Sequence, residues 1–379
     1  MRLIAVMSVL FVGCSTAAPT AQGEGFVPLY NGKDLTGWVR VNCAPETFRA
    51  EGEEIITTGK PTGVMRTERM YENYIIELDW MHLKPRGNSG LFVHSGAFPA
   101  KGTPFTKGHE IQVLDGDSAD GTWTGHGDVF SIHGATFEPD RPHPKGWMRC
   151  LPSEKRAHPA GQWNHYRVTV NDGTIKLEVN GKEVSGGKKC NPRKGYICLE
   201  SEGSECHFKN IRIKELPSTN PPESEVNEAD QGFKSLYTGL DFRGWTMVAG
   251  DEGHWNAKDW FCEYDGKGQG KISTEDSFRN FIVRFDWRIP GQTPHDSPSV
   301  CVRMQDSGIR GRLLTLKPAG KAREWIRSEV RVEGNRITVF RGGEKELEDE
   351  PPSMPESGRF CFLASGPIQF ANIFVKPLP

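Results

Sequence analysis

The sequence has no long hydrophobic run, no excess of charge of one sign and no sustained helical periodicity. Its early apolar run, residues 3–12, is too short to cross a bilayer as a helix. The 47 basic and 49 acidic residues give a net charge of −2, so the charge does not point to a nucleic-acid partner. The missing 3.6-residue period excludes a helical bundle, and the absence of any CxxC pair among nine cysteines argues against structural zinc.

Turn-forming and aromatic residues are abundant instead. There are 43 glycines and 26 prolines, and aromatic residues make up 10% of the chain. Short runs such as YIIELDW, EIQVLD and HYRVTV alternate in polarity, and Asn-Asp-Gly at 171–173 is a hairpin signal. This pattern predicts an all-β protein of many short strands joined by turns.

The first residues have the features of a secretion signal. Arg2 is followed by the apolar run and then by Gly13-Cys14, which is similar to a bacterial lipoprotein cleavage site; ordinary cleavage near Ala17 is the alternative. We therefore expect residues 1–22 to be a signal peptide and tether, with lipid attached to Cys14. The expected location is the periplasm, the outer membrane or the cell surface, with membrane contact only through that lipid.

The chain contains an internal repeat. FVPLYNGKDLTGW at 26–38 and FKSLYTGLDFRGW at 233–245 share seven of thirteen residues, and the same offset of 207 aligns NYIIELDW with NFIVRFDW. We expect a first domain at 23–216, a linker rich in proline, serine and acidic residues at 217–232, and a second domain at 233–379. Antiparallel strands in domains of this size predict two-sheet sandwiches in tandem.

Polar residues alternate with apolar ones along three predicted strands of the first copy. Because side chains alternate across a strand, the two polar residues of a pair on each of these three strands are expected to share one face. These candidate substrate-binding and catalytic residues are Asn88 and His94, Glu110 and Gln112, and Glu200 and Glu202. A solvent-facing sheet surface would explain one such strand, but three together favour a polar groove.

A histidine-rich segment adds a second set of candidates. His126 and His133 bracket the sequence GDVFSI and share it with Asp128. These residues could supply an acid or ligate a divalent metal ion that polarises a carbonyl group. Their spacing is a weak metal signal, and hydrogen-bonded loop histidines are the alternative.

The motifs of the first copy resemble a known family. NGKDLTGW, GNSGLFVH, EIQVLD, HGDVFSIHGA, VNGKEV and GYICLESEG are similar to the bacterial 3-keto-glycoside lyase/hydratases, also called 3-keto-disaccharide hydrolases. The resemblance implies concanavalin-like jelly-roll sandwiches and a 3-keto-glycoside substrate supplied by a separate oxidoreductase. Many family members carry Gln and His where this chain has Glu200 and Glu202.

The chemistry that the resemblance implies assigns roles to these residues. A ketone at C3 acidifies the C2 proton, so a base forms an enolate that expels the C1 oxygen, and water then adds back. We expect Glu110 to be the base, with His133 as second choice, and Gln112 to orient the sugar. His126, Asp128 or His133 would supply the acid, and Glu200 and Glu202 would act as acid/base partners or bind hydroxyl groups. A non-catalytic carbohydrate-binding protein and a conventional glycosidase with paired carboxylates are the alternatives.

The second copy lacks this polar set. The aligned positions of His94 and Trp163 are 69 residues apart in the first copy, whereas Arg303 and Trp325 are 22 residues apart in the second. The sequence alignment also places Leu363 at the position of Glu200. We therefore expect a degenerate second copy without catalytic activity.

Overall fold

The computed structural model describes residues 25–116, 126–291, 297–305, 311–318 and 323–379. The expected signal peptide, the tether and Cys14 lie outside these ranges. Within them, no helix is both long and apolar enough to cross a membrane.

The first sandwich occupies residues 27–215. Its strands are β1 (Val27–Pro28), β2 (Trp38–Arg40), β3 (Phe48–Glu51), β4 (Glu54–Thr57), β5 (Gly63–Thr67), β6 (Tyr74–His82), β7 (Asn88–Ser95), β8 (Gly108–Leu114), β9 (Val129–Ile132), β10 (Thr136–Pro139), β11 (Arg149–Cys150), β12 (Asn164–Asn171), β13 (Thr174–Val179), β14 (Lys182–Asn191), β15 (Tyr196–Ser201) and β16 (Cys206–Glu215). One antiparallel sheet has the order β10-β14-β13-β12-β6-β16-β4-β3, with β1 beside β16. The other has the order β11-β9-β8-β7-β15-β5-β2.

The second sandwich repeats this design with fewer strands. They are β17 (Lys234–Ser235), β18 (Trp245–Met247), β19 (Trp255–Lys258), β20 (Phe261–Tyr264), β21 (Lys271–Phe278), β22 (Phe281–Arg288), β23 (Ser299–Met304), β24 (Arg312–Thr315), β25 (Ile326–Glu333), β26 (Arg336–Arg341), β27 (Glu344–Asp349), β28 (Gly358–Leu363) and β29 (Ile368–Pro377). The sheets have the orders β19-β20-β29-β22-β25-β26-β27, with β17 beside β29, and β18-β21-β28-β23-β24. The chain is therefore all-β, as predicted, with two jelly-roll sandwiches in tandem.

Aromatic side chains fill the space between the sheets of each sandwich. Trp80 and Tyr166 are fully buried in the first core, and Trp287 and Phe285 are fully buried in the second. Each such side chain contributes on the order of 2 kcal/mol through burial. The eight cysteines in the described ranges are buried free thiols.

The segment between the sandwiches is exposed for most of its length but is hydrogen-bonded to the first sandwich. It contains a short 3-10 helix, Glu223–Glu225. The Asn227 side chain donates to the backbone oxygens of His94 and Lys107, both at 2.8 Å, and Asp230 pairs with buried Arg66 at 2.8 Å. Residues 217–232 are therefore a strap along the first sandwich rather than a free tether.

A loop of the first sandwich docks on the second. This covering loop, residues 96–107, joins β7 to β8. The N–H of Gly102 donates to buried Asp286 at 2.8 Å, and Arg327, which is paired with Asp286 at 2.8 Å, donates to the backbone oxygen of Pro99 at 2.9 Å. Asn372 also donates to Asp286, at 2.8 Å. The side chains of Asp286, Arg327 and Asn372 thus form a hydrogen-bonded docking site for the covering loop.

Candidate functional site

The candidate site lies on the outer face of the sheet that contains β7, β8 and β15. Leu91, Ile111 and Leu199 point inward to the core of the first sandwich. Alternation along each strand therefore directs their neighbours outward. Glu110 and Glu200 are among these outward-facing neighbours, and they lie on strands that flank β7 on either side.

The absence of a side chain at Gly90 allows the carboxyl groups of Glu110 and Glu200 to approach each other. A Cβ atom added to Gly90 would lie 2.9 Å from Oε1 of Glu110 and 2.9 Å from Oε2 of Glu200, so these oxygens are at most twice that distance apart. A glycine inside a strand often marks such a close approach. The missing side chain therefore leaves the space into which both acids project.

The pKa values of both carboxyl groups are raised above the ordinary value of a glutamate. Burial, followed by the charge of Glu202, raises the pKa of Glu110 well above its ordinary value, while Arg149 acts in the opposite direction. Burial, followed by the charges of Glu110 and Glu202, raises the pKa of Glu200. Both oxygens of Glu200 are buried without a hydrogen-bond partner in the described part of the chain. Arg149 acts to lower the pKa of Glu110, whereas the causes that act on Glu200 all raise its pKa, so the two acids differ in their surroundings.

Glu202 is a third carboxyl group near Glu110 and Glu200. Glu202 is half-buried and accepts a hydrogen bond from the side chain of Asn88. Gln112 in turn donates to Oδ1 of Asn88 at 2.7 Å and to the backbone oxygen of Ser89 at 3.2 Å. Burial and the charge of Asp259 raise the pKa of Glu202 to about 6. Asn88, Gln112 and the three glutamates thus form one polar cluster, as the strand alternation predicted.

Asp128 supports this cluster from inside the protein. It is fully buried, and its Oδ2 accepts a hydrogen bond from Arg149 at 2.7 Å. Arg149 also lies over the ring of Phe130, 3.8 Å from the ring centroid, and Phe130 pairs with Glu110 across the β8–β9 ladder. The prediction of Asp128 as an acid is therefore wrong in position, because this side chain is committed to a buried ion pair.

His94 does not reach the groove, contrary to the prediction. Its backbone has a positive φ of 53° at a bulge opposite β15, so the alternation reverses and the side chain turns inward. There its Nε2 lies 3.0 Å from the backbone oxygen of Glu72, and burial lowers its pKa to about 3. Arg303 has the same bulge in the second sandwich, with φ 54°, and binds the backbone oxygen of Arg279 at 2.7 Å. The position is structural in both copies.

The other histidines are not gathered with the glutamates as a metal site. His126 is buried, whereas His133 is exposed in a turn after β9 and stacks on Phe105 with ring centroids 6.4 Å apart. Across the described ranges, no group of three or more His, Cys, Asp or Glu side chains is arranged to hold a metal ion. His126, Asp128 and His133 therefore do not form the ligand set that their spacing suggested.

The far end of the groove is apolar and covered. Phe92 and Cys198 face outward but are buried beneath Phe98 and Phe105 of the covering loop. Phe98 contacts Phe374 of the second sandwich, with ring centroids 5.5 Å apart. The covering loop thus closes the apolar end of this sheet face to a substrate.

Sequence reasoning missed two residues that shape the site. Gly90 was visible as a glycine inside a strand pattern, which is a recognised signal for close approach. Arg149 had no local signal, because its role depends on the pairing of β11 with β9.

Comparison with known proteins identifies the first sandwich. Residues 25–214 match the family model of the 3-keto-alpha-glucoside-1,2-lyase-like domain. No curated protein sequence matches the chain significantly. Among solved structures, two glycosyl hydrolase candidates from Parabacteroides distasonis ATCC 8503 are 25% and 20% identical, with TM-scores of 0.40 and 0.37; they match 51% and 50% of this chain and 95% and 99% of their own. A Bacillus subtilis carbohydrate-binding module, CBM66, is 12% identical with a TM-score of 0.34, over 48% of this chain and 97% of its own.

The family match covers half of the chain and includes every strand that carries the acidic cluster. It places the protein among carbohydrate-active enzymes of hydrolase type. The chain belongs to the 3-keto-alpha-glucoside-1,2-lyase-like family.

Proposed function

We propose that the first sandwich cleaves 3-keto-glycosides by elimination and hydration. The observation that carries this proposal is the pair of adjoining carboxyl groups, Glu110 and Glu200, which both project toward Gly90 but differ in their electrostatic surroundings. Two titratable groups whose surroundings separate their pKa values are suited to act as base and acid.

Glu110 is the base in this proposal. Its carboxylate removes the proton from C2 of the sugar, and the electron pair passes to the C3 oxygen as an enolate. Arg149 lowers the pKa of Glu110 relative to that of its neighbour, which favours the ionised form that the step requires.

Glu200 is the acid. Its proton has no hydrogen-bond acceptor in the described part of the protein, so it is free to pass to the glycosidic oxygen as the enolate expels it from C1. Water then adds its hydroxyl group to C1 and a proton to C2, which gives net hydrolysis. Asn88, Gln112 and Glu202 belong to the same polar cluster and would bind sugar hydroxyl groups.

The second sandwich is a degenerate copy in this proposal. In its ladders Cys301 pairs with both Cys361 and Leu313, as Phe92 pairs with Cys198 and Glu110 in the first copy. Leu313 and Leu363 therefore stand where the first copy has Glu110 and Glu200, and neither can exchange a proton.

A conventional glycosidase is the second candidate, because carboxyl groups this close together are typical of retaining enzymes. The experiment that separates the two is incubation of the purified chain with an α-linked glucose disaccharide and with its 3-keto derivative. We expect cleavage of the keto derivative alone. Cleavage of the parent disaccharide would favour the glycosidase.

The proposal also includes export of the protein and attachment of a lipid to Cys14. It rests on the apolar run at residues 3–12 and on Gly13-Cys14. Mass spectrometry of the mature N-terminus would identify lipid on Cys14, whereas an unmodified N-terminus beyond residue 17 would contradict lipidation.

A further inference from the structure

We propose that the second sandwich forms one wall of the substrate groove in the first, through the turn that carries Asp259 and Trp260. The inference deepens the proposed function, since it places the substrate over Glu110 and Glu200. It assigns a binding role to a copy that has lost the acidic pair.

Asp259 reaches the acidic end of the groove. It lies between β19 and β20 with φ 61°, and its carboxylate accepts hydrogen bonds from the N–H and the hydroxyl group of Thr62, both at 2.6 Å. Thr62 precedes β5, whose Gly63 pairs with Ser201. Thr62 therefore stands opposite Glu202 at the next position of the ladder.

The charge of Asp259 affects the pKa of Glu202. Its carboxylate faces Asn88 from β7, with Glu110 on β8 and Glu200 on β15 as the other acids of the cluster. After burial, the charge of Asp259 is what raises the pKa of Glu202. A carboxylate of the second sandwich thus acts electrostatically on the polar cluster of the first.

Trp260 is the next residue of the same turn, between the contact of Asp259 with Thr62 and the ring of Trp325. Asp259, the preceding residue, is fixed to Thr62 on one side. On the other side, the Trp260 ring is 5.6 Å from that of Trp325, and a Cβ atom on Gly102 of the covering loop would lie 2.4 Å from Trp325. Trp260 is only half-buried, so part of its indole remains available. Because the preceding residue, Asp259, acts on Glu202, our proposal directs this aromatic face toward the polar cluster, where it would pack against the C–H face of a sugar ring.

The docking contacts hold this wall in place. Asp286, Arg327 and Asn372 bind the covering loop, and Phe98 is packed between Phe233 and Phe374 with ring centroids 5.6 and 5.5 Å away. The turn is therefore presented to the groove by a fixed interface.

Binding measurements on the full chain test the platform. In a Glu110→Gln background, which prevents turnover, calorimetry gives the dissociation constant for the 3-keto derivative of an α-linked glucose disaccharide. We expect Trp260→Ala to weaken binding about fivefold or more, and Trp260→Phe to restore most of it. The matched control is Trp163→Ala, which removes a half-buried tryptophan that lies beside Lys209 on the other sheet. Unchanged affinity in Trp260→Ala would overturn the proposal.

A carboxyl titration tests Asp259. With ¹³C-labelled glutamate, assigned by Glu202→Gln, the Asp259→Asn variant should lower the pKa of Glu202 while the amide still accepts a hydrogen bond from Thr62. Glu46→Gln, which removes another interdomain ion pair, with Arg243, should leave it unchanged. If the pKa of Glu202 stays unchanged in Asp259→Asn, the proposal that the second sandwich forms a wall of the groove is contradicted. Both measurements are independent of turnover, so a chain that binds through Trp260 but does not cleave the ketone would refute only the proposed function.

Discussion

Glu200 is a carboxyl group that folding buries without giving either oxygen a partner among the described residues. Such a group costs stability, and here it lies near a second buried acid, Glu110. The second sandwich has Leu363 at the corresponding position. This difference between the two copies fits the proposed role of Glu200 as the acid.

Replacing Glu200 by leucine tests this cost. Because the folded protein raises the pKa of Glu200, the native state keeps a proton that the unfolded chain loses above about pH 4.3. The wild-type protein therefore loses stability as the pH rises above this value, and the part of that loss that comes from Glu200 is absent in Glu200→Leu. We expect Glu200→Leu to increase the free energy of unfolding by about 1–3 kcal/mol, with a larger gain at pH 8 than at pH 5, and to abolish turnover. Urea unfolding at both values measures the gain; an equal gain at both would contradict the raised pKa.

Glu202→Gln tests the coupling between carboxylates. The charge of Glu202 is the largest cause, after burial, of the raised pKa of Glu110, so its removal should let Glu110 ionise at lower pH. We expect the ascending limb of kcat/KM against pH to move to lower pH, while the amide oxygen of the variant keeps the bond from Asn88. Glu205→Gln is the control, because Glu205 is paired with His207. A limb that stays in place would show that Glu110 is not the base.

At the scale of the strand, simple alternation predicted the polar cluster and failed at one bulge. Glu110, Gln112, Glu200 and Glu202 lie where a period of two places them. His94 does not, because one residue with positive φ reverses the faces that follow. A bulge depends on the neighbouring strand, and that pairing is not visible in a local pattern.

Gly90 on β7 also allows a direct test of catalysis between Glu110 and Glu200. Gly90→Ala would place a methyl group 2.9 Å from an oxygen of each acid, so one or both carboxyl groups must move. Since small displacements of catalytic groups are costly, we expect turnover to fall about a hundredfold. Far-UV circular dichroism should remain that of the wild type. Normal turnover with a normal fold would argue against catalysis between Glu110 and Glu200.

At the scale of the whole molecule, the two sandwiches use the same ladder position for different contacts. Asp79, with His165 opposite on β12, occupies the same ladder position as Asp286, with Arg327 opposite on β25. Asp79 is bonded to His165 at 2.7 Å and does not hold a loop of the other copy. The sequence repeat predicted two sandwiches, but it carried no signal that one would receive a loop of the other, because this contact joins residues far apart in the chain.

These two aspartates form a matched pair for a stability test. Asp286→Ala removes the buried partner of Arg327 and the acceptor for Gly102, so we expect a loss of about 3 kcal/mol or more. Asp79→Ala removes a partly exposed group, and we expect a loss of about 1 kcal/mol. The free energies of unfolding by urea measure both. Equal losses would indicate that the docking of the two sandwiches adds no stability.

The most direct test of the central claim is the isotopic content of the product. The purified chain is incubated in D₂O with the 3-keto derivative of an α-linked glucose disaccharide, and the released keto sugar is analysed by mass spectrometry and NMR. Elimination and hydration require that solvent deuterium appear at C2, and that Glu110→Gln abolish both cleavage and exchange. Full cleavage with no deuterium at C2 would mean direct displacement at C1 and would contradict the account.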